Sequence, residues 1–412
     1  MSIISITGFE GKNNTGGLDG LDMTPFSPGT EGSYSTTVKR SGLASARVNK
    51  NGTNVGAMNV LKAINADGTI ANYGGCSNLY VTFYFRYATK PASGSEEIFN
   101  SRDDNGYMFS GRLTSAGKLQ IYGSGGTTQI GSDGATTLAA DTWYKISLKI
   151  GTGSASSPYE VYINGVSEFS GTYSATTING NSRFYIGCYT DRNSQNLDMF
   201  FDDLVASDSG FPGGDVTKEI SVVAIHPTAN GSAMTWSSGT GASDYQEVDE
   251  VEYDDTKYVM TPSNGTNPNV ALFAMQNCAD VSISGTILGI KAVVVSRENA
   301  SNSSAHLIRV KSGATNSDSS ALNGSTAIVG QQRFLELDPN TSTAWTTTTI
   351  DALEAGMVEN NNVAVRLVNV CVYVAFIPST TSIKDVDGLA YGSVKTVNGL
   401  AVASVKNING LV

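Results

Sequence analysis

The stretch LYVTFYFRYA, from Leu79 to Ala88, alternates two kinds of side chain. Val81, Phe83 and Phe85 fall on one face of an extended chain, and more polar residues fall on the other. WYKISLKI, from Trp143 to Ile150, has the same period. Both stretches predict half-buried antiparallel strands.

Turn signals and further strands follow the same pattern. YEVYINGVSEF, from Tyr159 to Phe169, places Asn164-Gly165 between two apolar runs, which is the strongest short-range signal of a β-hairpin. RFYIGC (183–188) and LDMFFDDLVAS (197–207) have the composition of strands. Residues 1–207 are therefore predicted to form a two-sheet β-sandwich.

The composition of the chain indicates an all-β protein with several domains. Its 412 residues are too many for one core, only 15% are charged, and 45 are glycine. The net charge of −11 argues against a nucleic-acid partner. The start of the chain does not have the pattern of a signal peptide, and no apolar run is long enough to span a membrane, so we expect a protein that folds in a cytosol-like compartment.

Cysteine and tryptophan are both expected to serve packing. The cysteines are far apart and lack the spacing of a zinc site or a disulfide framework, so we expect them to be buried apolar residues. The four cysteines are Cys76, Cys188, Cys278 and Cys371. The tryptophans Trp143, Trp236 and Trp345 are predicted to anchor the core.

Seven segments in the first half carry a resemblance to a known family. They are GFEG (8–11), SGLASARV (41–48), YVTFYFRY (80–87), ADTWYKISLKI (140–150), YEVYINGV (159–166), FYIGCY (184–189) and FFDDLVASD (200–208). In this order they resemble the concanavalin A-like, laminin-G-type jelly roll. The resemblance implies that fold for residues 1–207.

The second half is predicted to hold another β-sandwich domain, residues 218–378, after a Gly- and Pro-rich linker at 208–217. Its segments ISVVAIHPTANGSAMTW, DYQEVDEVEYDD, GTILGIKAVVVSRE and LELDPNTSTAWTTTTIDALEAGM are similar to a domain of tailed-phage virion proteins of the tail-fibre or head-fibre kind. IDALEAGM, from Ile350 to Met357, is predicted to form a short helical turn or a loop.

The C-terminal segment, residues 379–412, contains a repeat that also resembles the ending of phage virion proteins. From residue 386 it reads VDGLAYGSVKT, VNGLAVASVKN and INGLV, which fits short strands joined by Asp-Gly and Asn-Gly turns, with Val397 opposite Leu400. So small a meander needs a surface to lie on, and we expect it to dock on its own second domain, a neighbouring subunit or the particle shell. The docking residues are predicted to be Val394, Leu400, Ala401, Ala403, Val405 and Leu411.

The acidic run 244–255 offers the main catalytic candidate. Glu247, Asp249 and Glu252 match the E-x-D-x-x-E pattern of a concanavalin A-like glycosidase family, but they lie outside the domain in which that family carries it. His226 and His306 lack a nucleophile nearby in sequence. We therefore predict no enzymatic activity, no cofactor and no metal site.

The acidic run 244–255 could also bind calcium, although its spacing is not that of a known calcium loop. The pair Asp202-Asp203 is a second metal candidate, because some laminin-G-like domains bind calcium. A structural role is favoured instead. One carboxylate is expected to bind loop backbone and the other to face solvent.

Carbohydrate binding is the ligand hypothesis that the residues support. Two polar loops at strand ends, SRDDNGYMF and CYTDRNSQN, combine carboxylates, amides and aromatic rings, although the same residues are common in turns. The candidate contacts are Asp103, Asp104, Asn105, Tyr107, Tyr189, Asp191, Arg192 and Asn193.

Taken together, the resemblances imply a structural protein of a phage virion, either a capsid decoration or head fibre or a tail appendage. It would fold in the bacterial host cytoplasm and contact other virion proteins. We expect a homo-oligomer, with a trimer as the first guess. The alternatives are a carbohydrate-binding adhesin that recognises a host surface glycan and a glycan-cleaving enzyme.

Overall fold

The structure is a computed structural model. It describes residues 3–10, 32–53, 77–103, 106–151, 156–174, 183–189, 191–241, 243–251, 254–262, 268–299, 305–361 and 363–379, without the side chains of residues 103, 106, 107, 124 and 305. It also describes the backbone of residues 56–59, 63–64, 70–71, 385–386, 389–390, 396–397 and 400–401.

The described strands of the first unit are β1 (Ile3–Thr7), β2 (Gly32–Ser35), β3 (Ser45–Lys50), β4 (Gly56–Asn59), β5 (Ala63–Ile64), β6 (Ile70–Ala71), β7 (Asn78–Thr89), β8 (Ser95–Asp103), β9 (Gly106–Thr114), β10 (Leu119–Tyr122), β11 (Tyr144–Gly151), β12 (Ser157–Ile163), β13 (Val166–Tyr173), β14 (Arg183–Cys188) and β15 (Leu197–Ser207). The larger sheet has the order β13-β12-β11-β7-β15-β3-β2, and β1 also pairs with β15. The smaller sheet has the order β10-β9-β8-β14-β4. Neighbouring strands in both sheets are antiparallel.

Strand β7 lies in the middle of the larger sheet and confirms the predicted alternation. Phe83 lies opposite Ile146 of β11, Val81 lies opposite Leu148, and all four side chains belong to the buried core between the sheets. The Asn164-Gly165 hairpin between β12 and β13 is confirmed as well. Both turn residues have positive φ, as a two-residue hairpin turn of this type requires.

The outer face of β7 is also buried, which the alternation did not predict. Thr82 and Tyr84 are buried there, and so is Lys145 of β11. The Tyr84 hydroxyl donates to the Glu219 carboxylate at 2.5 Å and accepts from the Ile220 backbone N–H at 3.2 Å. The strands are therefore covered on both faces, because the segment leading into the second unit lies across them.

The segment 208–217 is packed against the first unit. It contains a 3₁₀ turn at Pro212–Gly214. The Phe211 ring meets Tyr80 and Tyr162 edge-on, with ring centres 5.1 and 5.5 Å apart. These aromatic contacts fix the direction in which the chain enters the second unit.

The described strands of the second unit are β16 (Ser221–Ile225), β17 (Pro227–Met234), β18 (Ser237–Ser238), β19 (Val259–Met260), β20 (Asn269–Met275), β21 (Gly285–Glu298), β22 (Ala305–Ser312), β23 (Thr315–Asp318), β24 (Leu322–Asn323), β25 (Val329–Leu335), β26 (Glu354–Glu359) and β27 (Val365–Pro378). One sheet has the order β18-β19-β27-β21-β25, with β16 also paired to β27. The other has the order β17-β20-β26-β22-β23, with β24 paired to β22. An all-β chain of several sandwich sheets is thus confirmed.

The predicted helical turn is displaced toward the N-terminus. Helix α1 spans Thr347–Asp351 and is capped by the Thr346 side chain, which accepts from the Thr349 N–H at 3.2 Å. Residues 354–357 belong instead to β26, where they pair with β20. Strand pairing has overridden the local helical signal there.

The predicted burial is confirmed for two of the three tryptophans and for three of the four cysteines. Trp236 and Trp345 belong to the core of the second unit, whereas Trp143 is half-buried and lies outside the core cluster of the first. Cys188, Cys278 and Cys371 are buried thiols. Cys76 lies outside the described residues.

The two units share a continuous apolar joint. Ile3, Ile6 and Val205 of the first unit pack with apolar residues of the second. The members from the second unit are Ile220, Val222, Ala224, Val293, Phe334, Cys371, Tyr373 and Ala375. The joint is therefore a buried core of its own, unlike a flexible tether.

The described residues of the C-terminal segment form four short strands: β28 (Asp385–Val386), β29 (Leu389–Ala390), β30 (Thr396–Val397) and β31 (Leu400–Ala401). Val386 pairs with Leu389 and Val397 with Leu400, which is the register predicted from the Asp-Gly and Asn-Gly turns. Val394, Ala403, Val405 and Leu411 lie outside the described residues, as do the side chains of Leu400 and Ala401. Within the described residues, no helix has the length and hydropathy needed to cross a membrane.

Candidate functional site

The structure places the two predicted carbohydrate loops at opposite ends of the antiparallel β8–β14 ladder. Arg102, beside the first loop, lies opposite Arg183 at the start of β14, whereas the second loop leaves the other end of that strand beside Glu97. Of the first loop, the Arg102 side chain reaches the second. The Arg102 guanidinium lies 4.3 Å from the centre of the Tyr189 ring. Both side chains are half-buried, so part of each faces solvent.

In the first loop, the structure describes Asp103 and Tyr107 by their backbone alone. Asp103 pairs with Gly106 and Arg102 with Tyr107 across the β8–β9 ladder. Asp104, Asn105 and the side chains of Asp103 and Tyr107 lie outside the described residues. Their contribution to binding stays a prediction.

In the second loop, Asp191 and Asn193 hold the loop itself. The Asp191 carboxylate accepts from Lys50 Nζ at 3.0 Å and from the Ser194 N–H at 2.7 Å. The Asn193 amide donates to the Ser95 carbonyl at 2.6 Å. Turn formation, the alternative noted for these residues, therefore accounts for their polar groups.

A buried ion pair beneath this loop was not foreseen. Lys50 is 0% exposed and pairs with Glu96 at 3.3 Å, in addition to Asp191. Glu96 also accepts the backbone N–H groups of Arg192, Asn193 and Gln195. The loop backbone is thus organised around one carboxylate.

Sequence reasoning missed a polar cluster on the outer face of the smaller sheet. Residues that lie opposite each other in antiparallel strands share a face. Glu97 lies opposite Arg112, Asn100 lies opposite Ser110, and Tyr185 of β14 lies opposite Asn100. A bulge between Glu97 and Phe99 changes the alternation in β8, and no sequence pattern marked it.

The cluster is centred on the Glu97 carboxyl. Its Oε1 accepts from the Asn100 amide at 2.7 Å and from the Tyr189 backbone N–H at 2.9 Å. Arg192 Nη2 lies 3.6 Å from Glu97 Oε2, close enough for charge attraction but too far for a hydrogen bond. Glu97 therefore connects the outer face of the sheet to the loop that carries Tyr189.

Burial governs the electrostatics of this cluster. Burial raises the pKa of Glu97 to about 7, although the Arg192 charge opposes the shift. The pKa of Arg112 is lowered by burial and by the Arg192 charge. The Arg112 guanidinium lies 3.5 Å from the centre of the Tyr122 ring, a cation–π contact.

Several buried polar atoms in the cluster have no hydrogen-bond partner among the described residues. They are Glu97 Oε2, Asn100 Oδ1, Ser110 Oγ and Arg112 Nε. Buried polar atoms are nearly always satisfied in proteins, so such a group of orphans is typical of a place where water or a ligand binds.

The glycosidase pattern is not assembled as a catalytic pair in the described residues. Glu247 ends a 3₁₀ turn at Asp244–Glu247, is buried, and accepts from the hydroxyls of Ser238 and Thr240. Glu252 lies outside the described residues. The local structure at Glu247 is a helical turn.

The Asp202-Asp203 pair differs from the prediction, because neither carboxylate faces solvent. Asp202 accepts from the Arg40 N–H at 2.7 Å, and Asp203 accepts from the Val222 N–H at 2.6 Å. Both are 0% exposed, since the second unit covers the end of β15. In the described part of the chain, His, Cys, Asp and Glu side chains do not gather in groups of three or more that could hold a metal ion.

Two antiparallel sheets packed face to face, with the chain order seen here, define a jelly-roll sandwich. Residues 76–211 match the family described as the concanavalin A-like lectin/glucanases superfamily, so this part of the first unit is a concanavalin A-like domain. No curated protein matches the sequence.

Solved structures show distant similarity. The cellulose-induced protein Cip1 has a TM-score of 0.34 and 15% identity, over 43% of this chain and 85% of its own. Domain 4 of the Geobacillus stearothermophilus arabinanase AbnA has a TM-score of 0.32 and 15% identity, over 52% and 97%. A mutant Trypanosoma rangeli sialidase has a TM-score of 0.33 and 12% identity, over 45% of this chain and 28% of the sialidase. These scores are too low to carry a functional argument.

Proposed function

We propose that the protein is a non-enzymatic, glycan-binding component of a phage particle, and that its first unit binds an acidic glycan. The observation that carries the glycan part is the stack of Arg102 on Tyr189, which itself packs against Tyr185 with ring centres 4.8 Å apart. Sugars bind proteins through aromatic rings beside polar groups, and this stack lies next to the buried Glu97 and Asn100.

The charge of the face favours an acidic sugar. The guanidinium groups of Arg102 and Arg183 lie on opposed residues, and those of Arg112 and Arg192 lie beside the Glu97 carboxyl. A planar guanidinium can hold a carboxylate with two parallel hydrogen bonds. In a chain of net charge −11, this concentration of arginine is a local exception.

A glycan array tests this proposal. We expect the full chain to bind oligosaccharides that end in uronic or sialic acid and to bind their neutral analogues more weakly. Arg102→Gln and Tyr189→Ala should each reduce binding about tenfold or more, the equivalent of about 1.4 kcal/mol. Arg47→Gln is the matched control, because Arg47 pairs with Asp198 on the larger sheet. Equal binding of neutral and acidic glycans would contradict the acidic class.

The non-enzymatic part of the proposal is supported by the engagement of Glu247 with Ser238 and Thr240. Incubating the chain with each bound oligosaccharide should leave the oligosaccharide intact, as mass spectrometry can show. If cleavage is seen, Glu247→Gln and Glu97→Gln would identify which carboxyl acts. Cleavage of an oligosaccharide by the purified wild-type chain would overturn this part.

The particle part of the proposal is supported by the resemblance of the second unit and the C-terminal repeats to virion proteins, and by the hairpin register at Val386–Leu389 and Val397–Leu400. Mass spectrometry of purified particles should find the protein in the virion, and its absence would contradict the proposal. Deleting residues 386–412 should abolish incorporation or oligomer formation while the first unit stays folded. Light scattering of the full chain should give an oligomer, with a trimer expected.

A further inference from the structure

A cleft of about 990 Å³ lies between the two units, and none of its lining residues belongs to the acidic-glycan site described above. The loop 40–43 of the first unit forms one wall. The ends of β16 and β27 and the 3₁₀ turn at Cys278–Val281 form the others. Clefts of this size between structural units are a common place for small-molecule sites.

The buried side chain at this cleft is His226. It is 7% exposed, and neither ring nitrogen has a hydrogen-bond partner among the described residues. Burial lowers the pKa of His226 to about 4, so the ring is neutral near pH 7 and offers one donor and one acceptor. Leaving both unmet in a buried position costs free energy.

The backbone fixes the position of this ring. The His226 N–H donates to Gln276 Oε1 at 3.0 Å, and the Gln276 N–H donates to the His226 carbonyl at 2.9 Å. Pro227 follows directly and begins β17. The main chain at His226 is thus held by a reciprocal pair of hydrogen bonds that does not use the ring nitrogen atoms.

The rest of the lining is mixed. Leu43, which is 40% exposed, and Phe376 and Val281 supply apolar surface, while Tyr245 and Asp249 bring a hydroxyl and a carboxyl. The walls thus combine apolar contacts with hydrogen-bonding groups.

Neither kind of ionic ligand fits the described lining of the cleft. The Arg40 guanidinium is already used by Asp203, Glu219 and the Ile220 carbonyl. Among the described lining residues, an anion would therefore meet the Asp249 and Asp280 carboxyls with Arg40 already paired. A cation would be attracted by these carboxyls, but an ammonium group only donates hydrogen bonds and would leave the N–H of the buried imidazole without an acceptor.

From this geometry we propose that the cleft binds a small neutral polyhydroxylated molecule of monosaccharide size. Hydroxyl groups both donate and accept, so two of them satisfy both nitrogen atoms of His226. The C–H face of such a ring packs against Leu43, Val281 and Phe376. This site is separate from the acidic-glycan face and does not depend on it.

Saturation-transfer NMR with the full chain tests the proposal. The probes are glucose, galactose, mannose and N-acetylglucosamine, each added alone. We expect at least one to receive saturation from the wild-type protein. His226→Leu should weaken that binding about tenfold or more, as expected for the loss of two hydrogen bonds of roughly 1 kcal/mol each.

Two further variants make the outcome decisive. Leu43→Arg changes an exposed side chain, should leave the fold intact, and should block the cleft. All of these variants are compared in the Tyr189→Ala background, which removes weak binding at the acidic-glycan face and should keep the saturation of a monosaccharide bound in the cleft. The proposal is overturned if no probe receives saturation, or if binding survives both His226→Leu and Leu43→Arg. Loss in Tyr189→Ala would place the monosaccharide at the other face and would also overturn it.

Discussion

Asp203 Oδ1 lies 2.6 Å from the backbone nitrogen of Val222, so the end of β15 in the first unit holds the first strand of the second. The same carboxylate accepts from the Ser41 hydroxyl at 2.6 Å and pairs with Arg40 at 2.5 Å. One buried side chain therefore joins β15, the loop 40–43 and β16. The cleft described above has its walls on two of these three segments.

Replacing Asp203 with Ala should strongly destabilise the protein. The change leaves Arg40 and the Val222 N–H without this acceptor, and breaking a buried ion pair typically costs about 3–5 kcal/mol. Asp198→Ala is the control on the same strand, since its partner Arg47 is 38% exposed and the loss should stay below about 1 kcal/mol. Urea denaturation measures the free energy of unfolding of both variants. Equal decreases in the two variants would show that Asp203 does not join the units.

Gly42 should be intolerant of a side chain. It has φ +57°, and a Cβ atom there would lie 1.6 Å from Glu10 Oε1. Gly42→Ala should therefore lower the free energy of unfolding by about 2 kcal/mol or more, from strain and displacement of the buried carboxyl. Gly52→Ala is the control, because Gly52 has φ +60° and open space around it. Its cost should be limited to about 1 kcal/mol of backbone strain. Comparable thermal unfolding of the two variants would contradict the clash.

Stability should fall as the pH rises through the neutral range. Burial raises the pKa of Glu10 from 4.5 to about 8, so between these values the folded state holds a proton that the unfolded state has lost. The free energy of unfolding should then decrease by up to about 1.4 kcal/mol per pH unit for this group. Glu10→Gln cannot ionise and should show a shallower decrease in urea titrations across this window. Burial also raises the pKa of Asp202, so the free energy of unfolding of Glu10→Gln should still depend on pH to some extent. An unchanged slope in Glu10→Gln would exclude Glu10 as a source.

Lys50 should be essential to the loop that carries Tyr189. Lys50→Ala removes the cation from Glu96 and Asp191 and should cost about 3–5 kcal/mol, with faster hydrogen exchange at residues 191–196. Lys149→Ala is the control. Its pair with Glu160 at 2.8 Å is partly exposed, so the cost should be below about 1 kcal/mol. Unchanged exchange in the loop of Lys50→Ala would mean that other contacts hold it.

Local patterns predicted much of the fold. The period of Val81, Phe83 and Phe85 identified a central strand, and Asn164-Gly165 identified its hairpin, because both signals depend on neighbours in sequence. The register of Val397 with Leu400 followed from the repeat for the same reason. Each of these features needs only the alternation of a strand and the φ angles of a turn.

Features that depend on distant contacts could not be predicted. The alternation of β7 predicts that Tyr84 faces solvent, but in the fold Glu219, far along the chain, lies over it. The sequence around Lys50 does not indicate that this lysine is buried in an ion pair with Glu96. The Glu97 cluster depends on a bulge that shifts which residues of β8 face outward, and the sequence carries no sign of it.

The position of β27 has a mechanical consequence. This strand pairs along its length with β21, and its other edge pairs with β19 near one end and β16 near the other. The chain leaves it at Pro378 toward the C-terminal repeats. A pull that acts along β27 loads many hydrogen bonds on both edges in shear at once, instead of opening them one after another. The attachment point of the repeats is thus suited to bearing load.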